Sequence, residues 1–548
     1  MTSILAKERT IAGVGFNRWL VPPAALAIHL CIGMAYGFSV FWLPLSKALG
    51  GVPPESNTAA LATCRDLSIW QEAITTTCDW RVSTLQWMFT LFFLFPGIAS
   101  AVFGRWMECV GPRKSAVVAA CCWSGGMLIS AYGVQVHQIW LLWLGSGLIG
   151  GLGLGIGYIS PVSILIKWFP DRRGMATGMA IMGFGGGAVV GVPLAVYLMA
   201  HFSSPTSIGV AQTFVVMALI YFIFMVGGAF GYRMPPPGWT PAGWQPPAPA
   251  ANTMMTQRHV HVARVWRIPQ FWLLWGVLFC NVSAGIGVLG MASPMLQEIF
   301  GGQLIDINLP FNDLALGPKK LMVIVAGSFV SLLSLFNIGG RFVWASVSDY
   351  LGRKTTYSLF FLIGCALYAV IPLLGKGGSL GMFVLVMCLI VSMFGGGFAT
   401  IPAYISDLFG SQMVAAIHGR LLTAWSVAGV FGPLLLASLR EAQIARGVPP
   451  SQAYNLTMWI MAGLLLVGLV CNLLVKPLAD KYFMSEAELA QERQQTLTPG
   501  SASAATLSSA EAPAKSGNGV LILAWLVVGV PLAVGIGVTV MKASVFFR

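Results

Sequence analysis

Long apolar runs, each near or above the length of a bilayer span, recur along the chain with short polar turns between them. They lie at about residues 20–46, 84–106, 115–134, 139–166, 174–200 and 209–232, then at about 271–297, 321–347, 356–375, 380–406, 418–439 and 454–476. A helix that crosses a bilayer needs about 20 apolar residues. Inside the hydrocarbon its backbone must satisfy its own hydrogen bonds. The runs are therefore read as spanning helices rather than strands, and the fold class as an all-α membrane protein.

Polar sequence divides the runs into groups. Residues 234–250 read MPPPGWTPAGWQPPAPA. Proline at this density cannot continue a helix and favours extended polyproline II. The stretch up to Ile268 is more polar and carries Arg258, His259, His261, Arg264 and Arg267. After the twelfth run, residues 480–518 are rich in Ala, Ser, Glu and Gln and read as a disordered linker. A thirteenth apolar run then spans Val520–Val540. The expected organisation is a six-helix bundle (1–233), a Pro-rich linker (234–268), a second six-helix bundle (269–478), a disordered linker (479–518) and one extra transmembrane helix (519–548).

Composition agrees with this pattern. The chain is 57% hydrophobic and 9% charged, against roughly 25% charged in an average soluble domain. The formal charge of +13 does not point to nucleic acid, because the Lys and Arg residues sit in short loops rather than in a patch. They follow the positive-inside rule. Lys7, Arg9 and Arg18 precede the first run, Arg113 and Lys114 follow the second, Lys167, Arg172 and Arg173 the fourth, and Arg353 and Lys354 the eighth. These loops and the basic linker are expected on the cytoplasmic side of an inner membrane, with the N-terminus. The opposite loops carry Glu55, Asp66, Glu72 and Asp79, and Glu298, Asp306 and Asp313. The first run starts near Trp19, is too long for a signal-peptide core and has no A-x-A-like site after it. Most cysteines lie inside apolar runs and read as small hydrophobes. Cys64 and Cys78 share one polar loop. A disulfide suits them if that loop faces an oxidising compartment, and two reduced thiols suit them otherwise.

The two halves repeat a motif at corresponding places. One loop reads Gly104-Arg-Trp-Met-Glu108-Cys-Val-Gly111-Pro-Arg113-Lys114, the other Ala345-Ser-Val-Ser-Asp349-Tyr-Leu-Gly352-Arg353-Lys354. A small residue precedes an acid by one helical turn, so the two share a face. The small residue permits close helix approach. The acid can pair with a cation from a neighbouring helix end, and the Gly-basic pair closes a tight turn.

These loops resemble the signature loop of the major facilitator superfamily, with Glu108 in place of its usual Asp and Ala345 in place of its usual Gly. The resemblance covers residues 1–478. It implies two six-helix bundles around a midplane cavity, worked by rocking alternating access. Further stretches are similar to the oxalate:formate antiporter family, a relative of the monocarboxylate transporters. They are Gly33-Met-Ala-Tyr-Gly37-Phe-Ser-Val-Phe41, Lys167-Trp-Phe-Pro-Asp-Arg-Arg-Gly-Met-Ala-Thr-Gly178, Gly183-Phe-Gly-Gly-Gly187 and Asn337-Ile-Gly-Gly-Arg341. The thirteenth run, with Leu523-Ala-Trp-Leu-Val-Val-Gly-Val-Pro531-Leu-Ala, resembles a single-helix companion subunit, here fused to the C-terminus.

Arg341 is the most informative side chain. It lies eight residues before Asp349, about 12 Å along a helix, and so well inside the membrane. An arginine there is costly and points to function. Its guanidinium is always charged and can hold a carboxylate through two parallel hydrogen bonds. No acid lies in the middle of a spanning run to neutralise it. The structural alternative is an arginine that caps carbonyls or bonds Asn337, one turn back on the same face. The resemblance implies the first role, since the family's Arg at this motif binds the substrate carboxylate. It also implies a Lys after the Thr-Ala pair of the eleventh helix, where this chain has Trp425. With one cation instead of two, the expected cargo is a monoanion such as pyruvate, lactate or formate. An oxalate-type dicarboxylate is the alternative, and a cation or sugar carrier the next.

Tyr36, Tyr158, Tyr404 and Trp425 are candidates to line the cargo site, each offering an apolar wall and one donor. Lipid-facing or core packing is open to each. His29, among apolar residues, is a candidate for the coupling proton or a neutral histidine bonded to a carbonyl. Asp407 reads as part of a gate or loop pair. A membrane enzyme would need a nucleophile with a base or a metal cluster, and the chain has no HExxH, Walker A loop or CxxC. The reading is a monomeric carrier of small organic anions, embedded in lipid, with no cofactor, metal or nucleic-acid partner.

Overall fold

The computed structural model describes residues 3–13, 15–45, 48, 67–204, 207–236, 238–244, 254–305, 307, 316–377, 379–496 and 518–543. Among them, thirteen helices are long and apolar enough to cross a membrane. β-Pairing is limited to isolated bridges such as Ile11 with Met234. The helices are α1 (Arg18–Phe38), α2 (Trp87–Val110), α3 (Pro112–Gln135), α4 (Ile139–Trp168), α5 (Arg173–Phe202), α6 (Val210–Gly231), α7 (Pro269–Phe300), α8 (Ser328–Leu351), α9 (Arg353–Gly375), α10 (Leu380–Phe409), α11 (Val414–Ala445), α12 (Pro450–Leu474) and α13 (Gly519–Met541).

The first six helices and the second six pack by the same rule. α1 lies against α5 and α6, α3 against α6, and α2 against α4. In the second half α7 lies against α11 and α12, α9 against α12, and α8 against α10. The halves meet along two corresponding seams, α5 with α8 and α2 with α11. Small residues allow the backbones to come this close. A Cβ on Gly187 would run into Gly33 across the α1–α5 crossing, and one on Gly340 into the Ser392 backbone across α8–α10. The extra helix α13 touches α1, α5 and α8, so it lies along the α5–α8 seam and contacts both halves.

Three apolar runs depart from simple α-helices. The first is α-helical over Val21–Ile32 and then 3-10 over Gly33–Phe41. α4 contains a π-helical turn at Trp143–Gly150, a local feature often found where a helix is adapted to function. α11 is broken at Leu422, between Val414–Leu421 and Thr423–Ala445.

The stretch expected to be a disordered linker forms a helix over Glu486–Thr496. Ser485 and Glu488 cap it reciprocally, at 2.9 and 3.2 Å. Its acids meet the basic linker. Glu488 pairs with Arg264, and Asp480 with Arg258 at 2.5 Å. Glu492 lies 3.5 Å from His261 and 3.4 Å from Arg105 of α2. Charge matching between two separately polar segments orders this part of the tail. Residues 497–517 lie outside the described residues.

At the opposite face Glu72 is fully buried and accepts from Arg81 Nε at 2.8 Å and Thr84 Oγ1 at 2.7 Å. Cys78 is disulfide-bonded, and Cys64, its expected partner, lies outside the described residues. His137 donates to the Cys78 carbonyl at 2.9 Å and stacks on Trp80 with ring centroids 4.1 Å apart.

Candidate functional site

Arg341 projects from α8 and is 0% exposed. Its Nε donates to Asn337 Oδ1 at 2.8 Å, one turn back on the same helix, and Nη1 reaches the Ile181 carbonyl of α5 at 3.4 Å. Nη2 is buried and makes no hydrogen bond among the described residues. Among the described residues, the ion pairs do not include Arg341. What surrounds the charge is aromatic. The guanidinium carbon lies 5.2 Å from the Phe398 ring, 5.6 Å from Phe184 and 5.9 Å from Tyr36. Each such contact contributes about 0.5–2 kcal/mol, the upper end when desolvated.

The rings continue into a box. Trp425 of α11 lies 5.3 Å from Phe398, 5.8 Å from Phe93 and from Tyr158, and 5.9 Å from Phe184. Tyr36 packs edge-on to Phe184 at 5.0 Å. The box thus takes residues from α1, α2, α4, α5, α8, α10 and α11, on both sides of the seams. The hydroxyls of Tyr36 and Tyr158 and the indole Nε1 of Trp425 are buried without a hydrogen-bond partner among the described residues, as Arg341 Nη2 is. Buried donors are normally satisfied. Unpartnered ones occur elsewhere, at Trp80 and Tyr232 for instance, but here several belong to the one cluster of rings that adjoins a cation.

Other expected site residues take different places. The Tyr404 hydroxyl donates to Asn472 Oδ1 at 3.4 Å and its ring packs on Tyr357, away from the rings around Arg341. Asn337 uses its Nδ2 on the Val391 carbonyl at 3.5 Å while Oδ1 holds Arg341, so it positions the guanidinium. His29 is fully buried, with Nδ1 against the Ala180 carbonyl and Nε2 against the Tyr158 carbonyl at 3.1 Å. It ties α1 to α4 and α5. A neutral ring can donate to one of these oxygens and an imidazolium to both.

The repeated loops cross-link the halves at the basic face. Asp349 of α8 accepts from Gly174 N and Met175 N at 2.8 Å each, capping the start of α5. Glu108 of α2 pairs with Lys167 at 2.9 Å and accepts from Ala415 N at 3.2 Å, capping the start of α11. Each acid thus holds the N-terminus of a helix in the other half, where the helix dipole favours negative charge. Gly104 lies against Ala416, where a Cβ would come within 2.8 Å of its Cα. Gly111 and Gly352 have φ of +86° and +81°, the left-handed turn that glycine adopts without strain. Arg353 bridges Asp349 at 2.6 Å and Asp407 at 3.0 Å, and Arg173 of α5 reaches Asp407 at 2.9 Å. Arg113 holds the Ile4 carbonyl at 3.0 Å, and Lys354 holds the end of α12 through the Leu473 and Val475 carbonyls at 2.7 and 2.8 Å. Lys114 is exposed.

The family model of the major facilitator superfamily matches residues 25–433. The chain belongs to that superfamily. A major facilitator transporter is a carrier, not an enzyme, and the fold agrees. The superfamily transporter FucP in the outward conformation matches with a TM-score of 0.54 at 13% identity, over 83% of this chain and 99% of that one. The proton:xylose symporter XylE matches with a TM-score of 0.54 at 14% identity, over 83% and 95%. At such identity these structures speak for the fold alone. Among proteins of related sequence, the oxalate:formate antiporter of Oxalobacter formigenes is 30% identical over 292 residues, 53% of this chain and 61% of that protein. The apicoplast pyruvate carrier 1 of Toxoplasma gondii is 23% identical, over 67% of this chain and 70% of that protein. Monocarboxylate transporter 14 of Mus musculus is 21% identical, over 69% and 80%.

Sequence reasoning missed Phe93, Phe184 and Phe398. An aromatic side chain in an apolar run offers no contrast to its neighbours. A weak signal existed for Phe184 and Phe398, since each abuts a glycine cluster that lets helices approach (Gly183, Gly185–Gly187 and Gly395–Gly397).

Proposed function

We propose that this major facilitator transporter carries small organic monocarboxylates, such as pyruvate, lactate or formate, across an inner membrane by alternating access. Arg341 holds the carboxylate, and Tyr36, Tyr158 and Trp425 enclose the rest of the anion. One observation carries this reading: a fully buried guanidinium whose Nη2 has no partner and which is paired with no acid among the described residues. Removing that charge from water is costly, and an anion arriving in the site would satisfy it with charge-assisted bonds. A cationic cargo would be repelled. The relatives named for oxalate, formate, pyruvate and monocarboxylates support an acid as cargo.

Monoanions are favoured over oxalate because the aromatic box carries one cation. Trp425 occupies the place where the resemblance implies a second. Among the described residues no other Lys or Arg lies over the Tyr36, Phe184 or Phe398 rings. In this reading the basic face is cytoplasmic, and the clamps formed by Asp349, Glu108 and Asp407 close it.

Uptake of labelled pyruvate and oxalate into proteoliposomes tests the proposal. Arg341→Ala is expected to lower pyruvate uptake at least tenfold, the loss of a charged hydrogen bond worth about 1.5–3 kcal/mol. Arg341→Lys should recover part of it, because an ammonium cannot bind bidentately. Strong preference for oxalate over pyruvate and lactate would overturn the monoanion reading, and full uptake by Arg341→Ala would overturn the carboxylate reading.

A further inference from the structure

The extra helix α13 stands outside the two-bundle layout, yet it packs closely on it. Val528 clusters with Leu26 and Ala27 of α1, beside Met182 of α5. Leu532 lies over Gly186 of α5, and Gly535 over Val189. The contacts advance along α13 and α5 in the same order, so the two helices run parallel. Val528 and Leu532 are 4% and 9% exposed, whereas Val534 is 62% exposed.

The stretch of α5 beneath Leu532 is nearly bare, with Gly183, Gly185, Gly186 and Gly187. Glycine is the poorest helix former after proline, so the path of this stretch depends on what presses against it. Arg341 leans on the same stretch. Its Nη1 reaches the Ile181 carbonyl at 3.4 Å. A Cβ on Gly185 would lie 3.1 Å from Arg341 Nε and 3.3 Å from Asn337 Oδ1. One residue on, a Cβ on Gly186 would lie 2.9 Å from Leu532 Cδ1, 3.3 Å from Leu30 Cδ2 and 3.9 Å from Ile338 Cδ1. Ile338 follows Asn337 on α8 as Gly186 follows Gly185 on α5. Leu532 therefore sits at the lip of the α5–α8 seam. On each helix it is one residue away from the pair that touches the guanidinium.

We propose that Leu532 of α13 is a positioning residue for Arg341, which holds the bare α5 backbone against the guanidinium and fixes the angle at which it takes a carboxylate. This rests on the carboxylate reading of Arg341 and brings the thirteenth helix into it. Two parallel hydrogen bonds to one carboxylate need geometry good to about 0.5 Å. A wall of glycines yields unless it is backed, and α13 backs it at the depth of Arg341. The clamps of the basic face involve Asp349, Glu108 and Asp407, not Leu532. Leu532 therefore acts on cargo binding rather than on the rocking step.

The test uses the full chain in proteoliposomes with labelled pyruvate. Leu532→Ala is expected to raise the half-saturation of uptake about fivefold and to keep the maximal rate within about twofold of the wild type. Leu532→Met, which conserves volume, should match the wild type, and so should Val534→Ala on the exposed flank. A merely structural loss would carry over into any variant of the site, so Leu532→Ala is also combined with Arg341→Lys. There it should add less than about twofold, because an ammonium has no fork to align. An unchanged half-saturation, a fall in maximal rate alone, or an equal effect beside Arg341→Lys would overturn the inference and leave the carboxylate reading standing. Full uptake by Arg341→Ala would instead overturn the carboxylate reading, and this inference with it.

Discussion

A guanidinium buried without an acid is held by what neutral groups can supply. For Arg341 these are the faces of Phe398, Phe184 and Tyr36, the Asn337 amide oxygen and the Ile181 carbonyl. They hold the charge in place yet leave Nη2 open. The same logic with opposite charge preference governs His137, in the turn between α3 and α4. Burial holds its imidazole below the ordinary histidine range, against the opposing effects of the Cys78 carbonyl and Asp79. The unfolded chain then binds a proton more readily than the folded one, so stability is present above about pH 6.5, the ordinary value, and is lost as pH falls below it. Melting curves at pH 5 and pH 7.5 should show a smaller loss for His137→Gln than for the wild type. At this scale sequence served charge better than shape. Arg341 was legible because a cation breaks an apolar run. Tyr404 was not separable from Tyr36 and Tyr158, because inward, core and lipid-facing aromatics look alike in one dimension.

Helices were legible as elements because a bilayer demands one length and one kind of composition. Their irregularities were less so. The 3-10 section begins at Gly33, where the chain runs so close to α5 that a Cβ would collide with the Phe184 carbonyl. The ordered helix at Glu486–Thr496 depends on Arg258, His261 and Arg264, more than 200 residues away, and no local pattern announces such a partner. The packing of α13 is likewise tertiary. A Cβ on Gly535 would meet Val189 and approach its carbonyl oxygen to 2.9 Å, and Leu532 packs over Gly186 of α5. Gly535→Leu is expected to lift α13 from α5 and lower thermal stability, since overpacking costs about 1–3 kcal/mol. Gly529→Leu is the control, because open space surrounds that position, and its melting temperature should match the wild type.

The molecule as a whole is two similar halves clamped at one face. Asp349 and Glu108 cap α5 and α11 across corresponding seams, and Asp407 collects Arg173 and Arg353. The repeat in the sequence located these loops, but not that each acid's partner is a helix start in the other half. Removing the Asp349 charge weakens a helix-terminus interaction worth about 1–2 kcal/mol. Asp349→Asn should therefore raise the population with the basic face open. Distances between spin labels at Arg172, exposed just before α5, and Tyr350, exposed near the end of α8, should lengthen in the variant, and an unchanged distribution would remove Asp349 from the clamp.

The central claim concerns charge at Arg341. Calorimetric titration of the purified chain with pyruvate and with its uncharged amide, pyruvamide, addresses it without the complications of flux. The wild type should bind pyruvate at least tenfold more tightly, and Arg341→Met should lose that preference. Equal binding of the two ligands by the wild type, or an undiminished preference in the variant, would contradict the account.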